Sequence, residues 1–85
     1  MRGGERGPIM RRMNEIAETI MLTVNGDSMQ VAAGLTCAGL IAQLALDMRK
    51  VAVERNLEIV PRSTYAAVRL EAGDRLEIVH FIGGG

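Results

Sequence analysis

One amphipathic stripe constrains this chain more than any other feature. Cys37, Leu40, Ile41 and Leu44 fall at i, i+3, i+4 and i+7, which lines one face of one helix with apolar side chains. Thr36 stands in front of the stripe as an N-cap, its hydroxyl able to accept from an orphan amide of the first turn. Leu46 is expected to continue the helix, and Arg49 and Lys50 suit the negative end of its dipole. Gly39, inside the helix, costs about 1 kcal/mol relative to alanine and reads as a place where a neighbouring backbone comes close. A helix with one apolar face must bury that face against something, and the flanking segments say what.

Those segments alternate with the two-residue period of strands. Ile20, Leu22 and Val24 alternate with Met21 and Thr23, and Asn25-Gly26 follows. That dipeptide is the strongest short hairpin signal, because a type I′ turn needs positive φ at both central positions. Asp27 to Ala32 returns as a second strand with Met29 and Val31 on one face. After the helix, Val51 to Glu54 reads as a third strand, Asn56 as a turn and Leu57 to Val60 as a fourth strand ended by Pro61. Proline cannot donate to a ladder, so the fourth strand is expected at a sheet edge. Ser63 to Leu70 connects, with a helical turn around Tyr65, and Glu71 to Asp74 is a turn. Arg75 to Phe81 is the last strand, with Leu76 and Ile78 on one face and Val79 and Phe81 on the other.

The order ββαβββ predicts an α+β fold in which a mixed sheet packs its apolar face on one central helix, the β-grasp or ubiquitin-like arrangement. Leu40, Ile41, Leu44, Val24, Val53, Leu76 and Ile78 are the expected core. With 85 residues the chain has room for one domain. Residues 1–19 are expected to be a disordered or weakly helical extension, 20–82 the folded domain and 83–85 a flexible glycine tail. Gly3, Gly4, Gly7 and Pro8 dominate the first residues, whereas Met13, Ile16, Ala17 and Ile20 hold helical spacing only briefly.

Charge and residue chemistry narrow the function. Ten basic and ten acidic residues leave no net charge, and Tyr65 and Phe81 are the only aromatics. A nucleic-acid binder needs a basic excess and stacking groups, so that class is disfavoured. No apolar run reaches the ~20 residues of a membrane span, and none of signal-peptide length follows the N-terminal arginines. The lone Cys37 offers neither a disulfide framework nor a metal cluster, which fits a cytoplasmic home. Cys37 on the apolar stripe reads as a buried thiol, and His80, the only histidine, as a sheet-surface residue without a catalytic partner. Arg62, Arg69 and Arg75 read as a solvated face, with partner contact as the alternative.

The final residues Phe81-Ile82-Gly83-Gly84-Gly85 allow two readings. Three glycines after a strand can be a frayed terminus. They can also form a thin thread that an enzyme draws into a tunnel to reach the Gly85 carboxylate. Val79 and Phe81, apolar and on the outer face beside this thread, are the expected docking pair.

Over Met21 to Gly85 the chain resembles the ThiS-like sulfur carriers of thiamine biosynthesis. The landmarks are Leu22-Thr23-Val24-Asn25-Gly26, Ala33-Gly34-Leu35-Thr36, Ile59-Val60-Pro61-Arg62, Leu70 to Val79 with Glu71-Ala72-Gly73-Asp74 inside it, and Ile82-Gly83-Gly84-Gly85. Gly39 and the Glu54-Arg55 pair depart from the pattern and are expected to be of little consequence. The resemblance implies a protein cosubstrate without catalytic groups or a bound cofactor. A ubiquitin-activating-type adenylyltransferase would use ATP to adenylate Gly85, and a sulfur-donor system would convert the adduct to a thiocarboxylate. Thiazole synthase would then take the sulfur, with Gly84 small and Gly83 slack for the tunnel. The alternatives are a molybdopterin-synthase small subunit, a ubiquitin-like modifier and a plain β-grasp interaction module. The first of these usually approaches its tail through Pro-Pro, which Val79-His80-Phe81-Ile82 lacks.

Overall fold

In the computed structural model, which describes residues 18–81, five strands form one sheet. They are β1 (Thr19–Val24), β2 (Asp27–Ala32), β3 (Val51–Arg55), β4 (Glu58–Val60) and β5 (Arg75–His80), with the helix α1 (Cys37–Gln43) between β2 and β3. The sheet order is β2-β1-β5-β3-β4. β5 runs parallel to β1, and the other neighbours are antiparallel. This is the expected α+β, β-grasp arrangement, and β4 with its following proline lies at an edge. Thr19 opens β1, so the expected domain start at Ile20 falls one residue inside the strand. The rest of the extension, residues 1–17, and the tail 83–85 lie outside the described residues.

Both hairpins turn through two residues of positive φ. Asn25 at 51° and Gly26 at 88° close β1 on β2, as the sequence predicts. Asn56 at 53° and Leu57 at 72° close β3 on β4. The expectation that Leu57 starts the fourth strand is therefore corrected. It sits in the turn, 88% exposed, and pairing begins only at Glu58.

The core is where the helix stripe meets the inward sheet face. Leu40, Ile41, Val53, Leu76 and Ile78 are buried as expected, together with Leu22, Val31, Cys37, Val51 and Val60. Val24 and Leu44 are corrected to half-buried positions at the margin, packed against this cluster. Leu44 is at the margin because α1 is shorter than its stripe suggests. It ends at Gln43, Leu44 caps it, and Ala45 swings to φ 61°. The Ala45 amide then donates to the Ala42 carbonyl and the Leu46 amide to the Ile41 carbonyl, the paired bonds of a Schellman motif. This motif usually has glycine where this chain has alanine, so the sequence gives no stop signal. Leu46 accordingly follows the helix instead of continuing it. Arg49 and Lys50 do not face the helix dipole either, because they form a separate 3₁₀ turn, Met48–Lys50, capped by the Asp47 carboxylate. The Arg49 guanidinium pairs with Asp47 at 3.0 Å and holds its carboxyl down at about 2.

The N-terminus of α1 is satisfied from two sides. The Thr36 hydroxyl accepts from the Gly39 amide at 3.0 Å, as expected of an N-cap. The Cys37 and Ala38 amides donate to the carbonyls of Val68 and Tyr65 in the connection between β4 and β5. Gly39 does not admit a neighbouring backbone, which corrects that expectation. A Cβ there would lie 2.7 Å from Leu35 Cδ1, so what the glycine admits is a side chain. The connection itself is part of the core. Leu70 is buried, and so is Tyr65, whose hydroxyl donates to the Val51 carbonyl. The helical turn expected around Tyr65 is a 3₁₀ turn over Arg62–Thr64.

Candidate functional site

β5 is the central strand of the sheet, and it leads directly towards the C-terminal glycines. Its alternation turns Leu76 and Ile78 into the core and leaves Glu77 and Val79 on the opposite face. Val79 is 57% exposed, and Phe81, just past the strand, is 46% exposed. Across the ladder Val79 faces Ala52, and the Phe81 amide donates to the Lys50 carbonyl at 2.7 Å, extending the pairing by one step. The expected docking pair therefore sits on the uncovered sheet face beside the exit of the strand. Gly83, Gly84 and Gly85 lie outside the described residues.

Three devices fix β5. β3 pairs with it over five positions, from Val51–His80 to Arg55–Leu76. β1 pairs only at Thr23–Arg75 and Val24–Leu76 before it turns away. Where β1 leaves, the Asn25 side chain takes over: its Oδ1 accepts from the Ile78 amide at 2.8 Å and its Nδ2 donates to the Ile78 carbonyl at 3.3 Å. Asn25 thus serves both the turn and the strand next to Val79. The sequence signals only its turn role, since 53 residues separate the partners.

The third device is Asp74, the buried charged residue that opens the approach to β5. Its carboxylate accepts from the Glu71 amide, from Asn56 Nδ2 and from Arg55 Nε, the last at 2.8 Å. Arg55, a departure from the family pattern, is the charge partner of this carboxylate. Burial alone would raise the Asp74 carboxyl, but the Glu71 amide, Asn56 and Arg55 together hold it below its usual value. A depressed folded-state value adds stability above the unfolded carboxylate range, near ~3.9, and that stability is lost as pH falls through the folded value. Asp74→Asn is expected to cost about 1–3 kcal/mol at neutral pH. Thermal melts of the two proteins across an acid series should converge as the wild-type carboxylate protonates; a constant gap would show that charge has no part in it.

The remaining titratable candidates do not assemble a catalytic centre. His80 is exposed, as expected. Cys37 is buried, and burial pushes its thiol up, away from the thiolate a nucleophile requires. The three arginines read as a solvated face are all exposed, and the Arg62 guanidinium also donates to the Val51 carbonyl. Among the described residues no group of His, Cys, Asp or Glu could hold a metal ion, and no helix is long and apolar enough to cross a membrane. Among the described residues this surface offers the exposed apolar side chains of Val79 and Phe81 where the chain leaves β5.

The sequence profile of the ThiS family matches residues 15–85. A sulfur carrier protein ThiS of Bacillus subtilis is 41% identical over 66 residues, covering 76% of this chain and its own entire length. A thiazole synthase of Paramagnetospirillum magneticum is 56% identical over 64 residues, covering 75% of this chain and 20% of that protein. The chain thus spans about a fifth of the length of the thiazole synthases it matches. The crystal structure of a thiamine biosynthesis protein (ThiS) from Geobacter metallireducens superposes with a TM-score of 0.67 at 35% identity, covering 78% of this chain and all of the other.

Proposed function

The chain belongs to the ThiS family, and from that premise we propose that it is a sulfur carrier of thiamine biosynthesis whose Gly85 carboxylate is adenylated and then converted to a thiocarboxylate. The observation that carries this reading is the alignment with a sulfur carrier ThiS along that protein's whole length.

A carboxylate is a poor electrophile because its charge is shared over two oxygens and neither leaves readily. When one oxygen attacks the α-phosphorus of ATP, pyrophosphate departs and an acyl-adenylate forms. A sulfur nucleophile then adds to the carbonyl carbon, AMP leaves with the former carboxylate oxygen, and the thiocarboxylate remains. The carrier supplies none of the catalytic groups. Its share is an end without Cβ atoms at Gly83, Gly84 and Gly85, which a narrow active site can admit. Its body supplies a docking surface through Val79 and Phe81. An adenylyltransferase of the ubiquitin-activating type performs the first step in this scheme, and a thiazole synthase receives the sulfur in the cytoplasm.

ATP–pyrophosphate exchange with the adenylyltransferase tests the reading, and exchange should depend on the presence of this chain. Phe81→Ala and Val79→Asp should raise the carrier concentration needed for half-maximal exchange by roughly tenfold or more, since central apolar anchors dominate protein interfaces. Their melting curves should stay close to wild type, because both side chains are off the core. Unchanged exchange for both variants would remove them from the interface.

A further inference from the structure

The register of β3 against β5 sets Glu54 directly opposite Glu77. Their neighbours in the ladder, Val53 and Ile78, are a buried pair, so both glutamates project from the uncovered face. Like charges directly opposite in an antiparallel pair are destabilising, because their Cβ atoms stand only about 4.5–5.5 Å apart. Among the described residues neither carboxylate has an ion-pair partner. Exposed apolar side chains and one cation lie beside them. Ile59 faces Glu54 from β4 and is 69% exposed, while Val79 and Ala52 face each other one step along the same surface. Arg75, two residues before Glu77 on β5, projects from the same face without an ion pair among the described residues. Among the described residues, two carboxylates without an ion-pair partner therefore lie beside exposed apolar side chains, on a sheet face that no described element covers.

We infer that Glu54 and Glu77 together receive one arginine side chain of the thiazole synthase, set within an apolar patch of that protein which covers Ile59 and Val79. This rests on the carrier reading. The thiazole synthase is chosen over other proteins because its relatives carry a segment like this chain within the same polypeptide. Arginine suits the pair because its planar guanidinium presents a fork of donors that can reach two neighbouring carboxylates at once. The contact would also relieve the repulsion between the glutamates, so the free domain holds less favourable electrostatics than the complex. It would fix the orientation in which the body docks, whereas the apolar pair alone would tolerate rotation.

The test compares Glu54→Gln, Glu77→Gln and the double variant with wild type, measuring affinity for the thiazole synthase at low and high salt together with melting temperature. Each neutralisation is expected to weaken binding by roughly three- to tenfold. Melting temperature should hold or rise, because a cross-strand repulsion is removed. Added salt should weaken wild-type binding more than that of the double variant. Equal affinity and equal salt dependence across the set would overturn the inference, and so would a loss of affinity that follows a fall in melting temperature. If wild type accepts sulfur at Gly85 and the glutamate variants bind the synthase as well as it does, only this inference fails. If wild type neither accepts sulfur nor binds the synthase, the carrier reading fails with it.

Discussion

Leu40→Ala is expected to cost about 2–5 kcal/mol, the range for truncating a fully buried leucine. Leu40 is completely inaccessible and lies in the middle of the helix stripe, where it packs in the cluster formed by Leu22, Val53 and Leu76. A domain of this size has roughly 4–13 kcal/mol in hand, at about 0.05–0.15 kcal/mol per residue, so the variant should lose a large share of its stability and unfold at clearly lower urea. Leu44→Ala provides the internal comparison. Leu44 is half-buried where the helix ends, its surroundings can relax, and its truncation should cost clearly less than that of Leu40. Urea unfolding of the two variants gives both numbers. Equal costs would mean that the helix register or its end at Gln43 is misplaced.

The order of these two costs also shows where the sequence is readable and where it is not. Period-two alternation in β1 and β5, the Asn25-Gly26 turn and the stripe on α1 each depend on residues close in sequence, and each is legible without a structure. The edge position of β4 is legible because Pro61 has no amide to donate. The end of α1 is not, because Ala45 adopts a left-handed conformation that alanine does not advertise. Nor is the second hairpin turn, where Leu57 does the same. The polar contacts that fix β5 are hidden for a different reason. Asn25 with Ile78 and Arg55 with Asp74 are pairs brought together by topology, and no local spacing marks them. Tyr65 reads as a connector for the same reason, although its ring is buried and its hydroxyl reaches β3. At the candidate site, Val79 and Phe81 follow from strand alternation, whereas the Glu54–Glu77 opposition requires the inter-strand register.

The second large effect is expected at the glycines. Deleting Gly85, adding a residue after it, or making Gly84→Val should abolish thiocarboxylate formation. The first two displace the reacting carboxylate, and the third adds a branched side chain where the adenylating site must admit a bare backbone. None of the three should shift the melting curve noticeably, since the last buried residue among those described is Ile78. A variant that melts as wild type and accepts no sulfur separates the chemistry of the end from the stability of the body. A plain interaction module would tolerate all three changes.

The most direct measurement is accurate intact mass after incubation with the adenylyltransferase, ATP and a sulfur donor. The carrier account predicts a mass gain of one sulfur in place of one oxygen, confined to the terminal peptide that contains Gly85 and dependent on ATP. An unchanged mass at Gly85 under conditions that support adenylation, or full sulfur loading of a chain extended beyond Gly85 without prior trimming, would contradict it.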